Sequence, residues 1–205
     1  MRALIILADP EPASIRRDAA ARAAEALVDA GHQVTVRDLH AEGFRAAMNA
    51  VEREAYETDQ PIRDPLVEEH AVLLGEANIL VFVYPTLLST LPAVMKGWLE
   101  RVLVPGVGFV FDHRQKVRPG LNQVRRIVGI STYSERRVDV KVTHDNGRRT
   151  ITRAVRMSAG LWTSATWVPL YSADEATAEQ RSEFIDRCAR RVARRWPPPF
   201  PGGGR

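Results

Sequence analysis

Apolar and polar positions fall into alternating blocks along this chain. RALIILA, residues 2–8, is a continuous apolar run that stops at Asp9-Pro10. An uninterrupted run of this kind is a strand covered on both faces. SIRRDAAARAAEALVDAG, residues 14–31, is rich in alanine, opens on a capping serine and closes on a glycine, so it is a helix. HQVTVRDL, residues 32–39, is the second strand. Two strands and a helix in so short a span make a βαβ unit, which implies parallel pairing.

The alternation then continues. Residues 41–65 are polar, charged and weakly periodic, and predict an excursion with one helical turn. PLVEEHAVLLGEA, residues 65–77, has helical spacing behind an N-terminal proline, and NILVFVY, residues 78–84, is the most hydrophobic strand. LPAVMKGWLERVL, residues 91–103, is a helix with Pro92 in its first turn. VRRIVGIST, residues 124–132, is the fourth strand, and RRTITRAVRMSAG, residues 148–160, forms a helix closed by Gly160. TSATWVPLY, residues 163–171, is the fifth strand, and a last helix starts at a cap on Ser172 or Asp174 and runs to Trp196. The implied class is α/β: a doubly wound, five-stranded parallel sheet in one domain, residues 1–196. The tail PPPFPGGGR, residues 197–205, has no core residues and is expected to be disordered or to lie on a neighbour.

Composition narrows the function classes. The chain has 205 residues, 45% hydrophobic and 26% charged, which suits one domain with a packed core. Its single cysteine, Cys188, forms no disulfide within the chain and sits mid-helix beside Phe184 and Val192, as a small buried hydrophobe would. A reducing, cytoplasmic setting is expected. No apolar run approaches the length of a membrane span. The net charge is +4, and much of the excess lies in RCARRVARRW, residues 187–196. That segment reads as a solvated arginine face; without interleaved aromatics it gives no nucleic-acid partner. The five histidines, His32, His40, His70, His113 and His144, have no metal-binding spacing, so no metal is expected. No P-loop, complete dinucleotide fingerprint or nucleophile elbow is present.

In an open α/β sheet, ligands bind beyond the carboxyl ends of the strands. Three turns qualify. Asp9 to Arg16 places Ser14 at a helix N-terminus, where Ser14 and Arg16 either hold a phosphate or serve as cap and surface cation. Pro85 to Leu91 is either a rigid amide-bearing cradle for a flat ring or a plain connection. Ser131-Thr132-Tyr133-Ser134 offers hydroxyls, and Tyr133 can donate a proton or pack on a ring.

YPTLLSTLPAVMKGWLERVLVPGVGF, residues 84–109, resembles the flavodoxin-like NAD(P)H quinone oxidoreductases of the DT-diaphorase and modulator-of-drug-activity type. The shared pattern is LPAxxKGWxxRV, here Leu91-Pro92-Ala93, Lys96-Gly97-Trp98 and Arg101-Val102, followed by Gly108-Phe109. ADPEPASIR, residues 8–16, is similar to the family's AHPExxSFN turn, and WVPLYSADEATAEQR, residues 167–181, to its last strand and helix. The resemblance implies strand order 2-1-3-4-5, a homodimer, FAD or FMN as coenzyme, NAD(P)H as reductant, and a quinone or other small aromatic acceptor. It puts Ser14, Ile15 and Arg16 at the coenzyme's phosphates. Pro85, Thr86, Leu87, Leu88 and Ser89 would line its ring, and Ser131, Thr132, Tyr133 and Ser134 would lie at its pyrimidine edge. Three departures stand out. Asp9 replaces the family's histidine, which sets a carboxylate beside the anion site unless it turns away. Leu87 and Leu88 or Ser89 replace an aromatic pair, and Tyr133-Ser134 replaces two glycines. Tyr133 and His144 are the candidates, by type, for the acceptor-site Tyr and His.

Three readings follow: a flavin-dependent NAD(P)H:acceptor oxidoreductase, the same scaffold with altered and flavin-independent chemistry on an aromatic or polyketide-like substrate, and a non-catalytic regulatory subunit.

Overall fold

Residues 1–160 and 162–194 are described in the computed structural model. The expectation for the tail, residues 197–205, lies outside them.

Five parallel strands form the sheet: β1 (Arg2–Leu7), β2 (Gln33–Asp38), β3 (Ile79–Pro85), β6 (Arg126–Thr132) and β7 (Ser164–Leu170). Their order is β2-β1-β3-β6-β7, which is 2-1-3-4-5 counted over the core strands. The two intervening strands, β4 (Phe109–Phe111) and β5 (Val117–Pro119), make a separate antiparallel hairpin.

The strand runs read apolar throughout because both faces are covered. Ala3, Ile5 and Leu7 of β1 join Val81, Val83, Val128 and Ile130 under helices α1 (Ile15–Asp29) and α8 (Ala178–Ala193). Leu4 and Ile6 point the other way, with Leu80, Phe82 and Ile127, under α3 (Pro65–Glu76) and α4 (Ala93–Val102). The period of two along each strand thus feeds two cores from one sequence run.

Helix signals hold in detail. Ser14 caps α1 by accepting from the Arg17 amide at 3.2 Å, and Gly31 leaves it at φ 80°. The excursion carries one short helix, α2 (Ala50–Ala55), opened by a capping box between Asn49 and Glu52. Two expectations are corrected. The last helix begins at Ala178, because Thr177 and Gln180 form a capping box and neither Ser172 nor Asp174 does. The helix expected over 148–160 is split into α6 (Asn146–Arg149), a π-helical stretch (Thr150–Val155) and α7 (Arg156–Ala159), and α5 (Arg137–Thr143) precedes it. The hydroxyls of Thr150 and Thr152 bond back to the carbonyls of Asn146 and Arg148 at 2.9 and 2.7 Å, competing with regular helix bonding.

In the Lys96-Gly97-Trp98 block, Gly97 and Trp98 turn out to be packing, while Lys96 is exposed and pairs with Glu100. A Cβ on Gly97 would lie 2.1 Å from the Ala46 carbonyl oxygen, so only glycine lets the excursion lie on α4. Trp98 is fully buried, meets Phe82 edge-on, and donates from Nε1 to His70 Nδ1 at 2.8 Å. That bond leaves the ring proton on Nε2, which faces Glu42 at 2.7 Å, and burial pulls the His70 pKa down. Arg101, also buried, donates to Glu52, to Asp64 at 2.7 Å and to the Arg45 carbonyl at 2.6 Å. Trp98 and Arg101 therefore clamp residues 42–64 onto the sheet.

Candidate functional site

The three turns picked from the sequence meet at the carboxyl end of the sheet. Arg16 of the first donates through Nη1 to Thr132 Oγ1 of the third at 3.0 Å. Thr86 of the second donates its amide to the Thr132 carbonyl at 2.9 Å, and its hydroxyl lies 2.7 Å from that of Ser131.

In the first turn, Asp9 turns inward. It is fully buried, and its carboxylate takes Arg16 Nε at 2.8 Å and Nη2 at 3.1 Å, the Ser14 hydroxyl, and the Glu11 amide at 3.2 Å. Burial alone would raise its pKa, but the bonds from Arg16, Ser14 and the Glu11 amide outweigh it and hold the carboxyl below its ordinary range. Glu11 adds a second carboxylate 3.0 Å from Arg16. Arg17 reaches Asp38 and the Asp9 carbonyl, at 2.5 and 2.9 Å. The donors expected to meet a phosphate thus form an anion cradle, and the chain's own carboxylate sits in it. Ile15 is a core residue beneath.

The second turn is a two-residue hairpin: the Leu87 amide bonds the Thr90 carbonyl at 3.1 Å, and the Thr90 amide bonds back at 2.9 Å. Its central residues, Leu88 and Ser89, have φ of 46° and 58°, a geometry that favours glycine or asparagine. Leu88 is 96% exposed. A strained, non-glycine turn that presents an apolar side chain to solvent fits a ligand-facing role. Pro85 and Ser89 are half-buried behind it.

The third turn departs most from glycine-rich geometry. Ser131 and Thr132 are buried, Ser134 is exposed, and Tyr133 folds inward at 1% exposure. Its hydroxyl donates to Asp145 Oδ2 at 2.5 Å and accepts from Trp167 Nε1 at 2.9 Å, while its ring packs on Tyr171 at 4.9 Å. Trp167 can lie there because Gly129 has no side chain; a Cβ would sit 2.0 Å from the indole. Next to this group the Tyr84 hydroxyl is buried without a hydrogen-bond partner, and Gly147 packs over it. The Asn146 amide bonds the Ser89 carbonyl at 2.9 Å, so the segment after β6 is tied to the ring turn. Burial, and then the neighbouring Asp145 carboxylate, hold the Tyr133 proton in place far above the usual phenol range; burial does the same for Tyr84. Both are donors, not bases.

Tyr133 and His144 are the candidates by type for the acceptor-site Tyr and His. The structure pairs Tyr133 with Asp145, the residue after His144, while His144 is exposed and touches Arg149 at 3.4 Å. Asp145, Trp167 and Tyr84 were missed. The Asp-Asn-Gly sequence at 145–147, a turn signature, was the available signal. Cys188 is buried on the opposite face, and burial pushes its thiol up to about 12.

Comparison with known proteins gives a consistent lineage. The family model that matches residues 1–195 is described as a flavodoxin-like fold. Rat ribosyldihydronicotinamide dehydrogenase [quinone] is 33% identical over 128 residues, 54% of this chain and 54% of that protein. Rat NAD(P)H dehydrogenase [quinone] 1 is 30% identical over 146 residues, covering 64% and 53%. The chain therefore spans about half the length of the curated relatives it matches. Among solved structures, an NAD(P)H:quinone oxidoreductase from Methanothermobacter marburgensis superposes with a TM-score of 0.78 at 23% identity, over 94% of this chain and 96% of that one. With its sheet order, its two packed faces and a family match that runs from the first residue to residue 195, this protein belongs to the flavodoxin-like fold family.

Proposed function

We propose that this protein is a flavin-dependent oxidoreductase that takes reducing equivalents from NAD(P)H and passes them to a quinone or related small aromatic acceptor. The observation that carries the reading is the anion cradle of Ser14, Arg16 and the Glu11 amide at one end of a turn cluster whose other end is the exposed Leu87-Leu88 hairpin. A coenzyme with a phosphate at one end and a flat ring at the other matches that polarity. The donors already hold a carboxylate in bidentate and charge-assisted bonds, and the same set suits a phosphate oxygen. The names of the curated relatives support the reaction class.

In this reading Ser14, Ile15 and Arg16 receive the phosphate, and Asp9 is the group it competes with. Pro85, Thr86, Leu87, Leu88 and Ser89 flank the ring. Thr132 braces Arg16 from the third turn, with Ser131 and Ser134 beside it. The flavin, FAD or FMN, supplies the hydride chemistry when bound. The chain's own part is to orient and to keep protons in place: Tyr133 and Tyr84 stay protonated and do not serve as bases, and His144 stands at the solvent edge of the same segment. A homodimer, with a second copy covering the exposed Phe111 and Leu88, belongs to the same proposal. No helix among the described residues is long and apolar enough to cross a membrane; the proposal locates the protein in the cytoplasm.

The test is an assay of NADPH oxidation with FAD or FMN and a quinone present or withheld. Oxidation that requires both supports the reading. A second reading keeps the scaffold without flavin and is favoured by one observation: Tyr133, which stands where the resemblance has a glycine, folds inward onto Asp145. Failure to retain either flavin would select it.

A further inference from the structure

Beside the ring turn lies a second feature, formed mostly by the segment between β6 and β7. The segment from α5 through the π-helical stretch encloses a cleft of about 360 Å³, lined by Arg137, Lys141, Arg148, Arg149, Arg153 and Asp145. Five cations face one carboxylate. Several arginines elsewhere have acidic partners: Arg17 with Asp38, Arg37 with Glu42 and Glu69, Arg101 with Glu52 and Asp64, Arg118 with Asp112. Among the described residues none of the five cleft cations forms an ion pair; the pair that α5 does make uses Arg136 and Asp139, outside the cleft. Asp145 forms no ion pair with them, because its oxygens are taken by Tyr133 at 2.5 Å and the Arg148 amide at 2.8 Å, and its single charge offsets only one of the five. Uncompensated cations gathered in a concavity repel one another and concentrate anions.

We propose that this cleft binds the phosphates of the reduced nicotinamide dinucleotide and that its charge selects NADPH over NADH. The inference rests on the oxidoreductase reading and specifies its reductant. Three points support it. The cleft is continuous with the ring turns, since Asp145 and Tyr171 both touch Tyr133 and Asn146 is bonded to Ser89. Its volume lies at the low end of small-ligand pockets, about 300–1,000 Å³, which admits one nucleotide half and not a strand of nucleic acid. The charge also matches. A pyrophosphate brings about two negative charges, and a 2′-phosphate adds about 1.5 to 2 more. The total approaches the excess of five cations over one carboxylate, whereas the phosphates of NADH would leave half of it unanswered. Arginine suits such a site because its planar fork bonds two phosphate oxygens at once.

The experiment uses the full chain and needs no turnover. Calorimetry or intrinsic fluorescence would measure binding of 2′,5′-ADP, 5′-AMP and inorganic phosphate. The expected result is 2′,5′-ADP bound about tenfold or more tightly than 5′-AMP, with affinity falling as salt rises. The double variant R148Q/R149Q should lose about tenfold or more of that affinity with an unchanged thermal midpoint, since both side chains are exposed. Equal affinity for the three probes, or equal affinity of parent and variant for 2′,5′-ADP, would overturn the proposal. So would binding of RNA that the nucleotides do not displace. The two readings fail separately. Selective 2′,5′-ADP binding without NADPH oxidation keeps the cleft and removes the oxidoreductase. Quinone reduction with NADH and NADPH alike, without 2′,5′-ADP binding, does the reverse.

Discussion

Replacing Asp9 by asparagine should move stability and coenzyme affinity in opposite directions. The side chain is fully buried and answers Arg16, whose own side chain is 10% exposed. Removing one partner of such a buried pair costs about 3–5 kcal/mol when nothing replaces it. Ser14 and the Glu11 amide reach different oxygens of Asp9, so the single side-chain carbonyl of the variant would still accept from one of them, and Glu11 stays 3.0 Å from Arg16. A loss of about 2 kcal/mol is therefore expected for the unliganded protein. For a phosphorylated flavin the sign reverses. A phosphate charge held about 4 Å from the Asp9 carboxylate meets a repulsion of about 4 kcal/mol at an effective dielectric of 20. With Arg16 shared between the two anions, about half of that is the expected relief, or roughly 30-fold in affinity. Urea unfolding of the apo proteins and fluorescence titration with FMN would measure the two effects. An Asp9→Asn protein as stable as the parent would refute the buried-pair argument. One that binds FMN no better would refute the assignment of this cradle to a phosphate.

Four further outcomes follow from the same geometry. The folded pKa of Asp9 is depressed, so its stabilising share is present above the unfolded value of about 3.9 and is lost as pH falls through the folded one; the parent's urea midpoint should drop on the acid side, and Asp9→Asn should drop less. Tyr133→Phe removes the partner of Asp145 and of Trp167, and should cost about 1–3 kcal/mol by thermal unfolding. Gly97→Ala drives a methyl into the Ala46 backbone and should destabilise by about 3 kcal/mol or leave the protein insoluble, whereas Gly75→Ala on exposed helix surface, with open space around it, should not. Cys188 should resist thiol reagents until urea unfolds the chain, since it is buried and its thiol is pushed up to about 12.

The parallel sheet was legible because each core strand is an unbroken apolar run bounded by turn residues. Its order came from the family resemblance and not from the apolar pattern. The hairpin of β4 and β5 was not legible: Phe109–Phe111 and Val117–Pro119 are three-residue strands, too short to show a period. The split of residues 146–159 arises from threonine back-bonding, which no hydrophobic period reports. At the site, the strand-end rule found all three turns, since it depends only on topology. It could not find what fills them. Whether Asp9 turns toward Arg16 or away, and whether Tyr133 folds inward onto Asp145, is decided by groups far apart in sequence, such as Thr132 behind Arg16 and Trp167 behind Tyr133. The most specific motif carried the family likeness correctly, yet Gly97, Trp98 and Arg101 do structural work, holding the excursion to the sheet.

The central claim is that the turn cluster holds a flat, phosphorylated coenzyme. Mix the purified full chain with FAD or FMN, pass it through size exclusion, and read visible flavin absorbance across the protein peak. The account predicts about one flavin per chain co-eluting with the protein. A colourless protein peak with either flavin, from the parent and from Asp9→Asn alike, would contradict it.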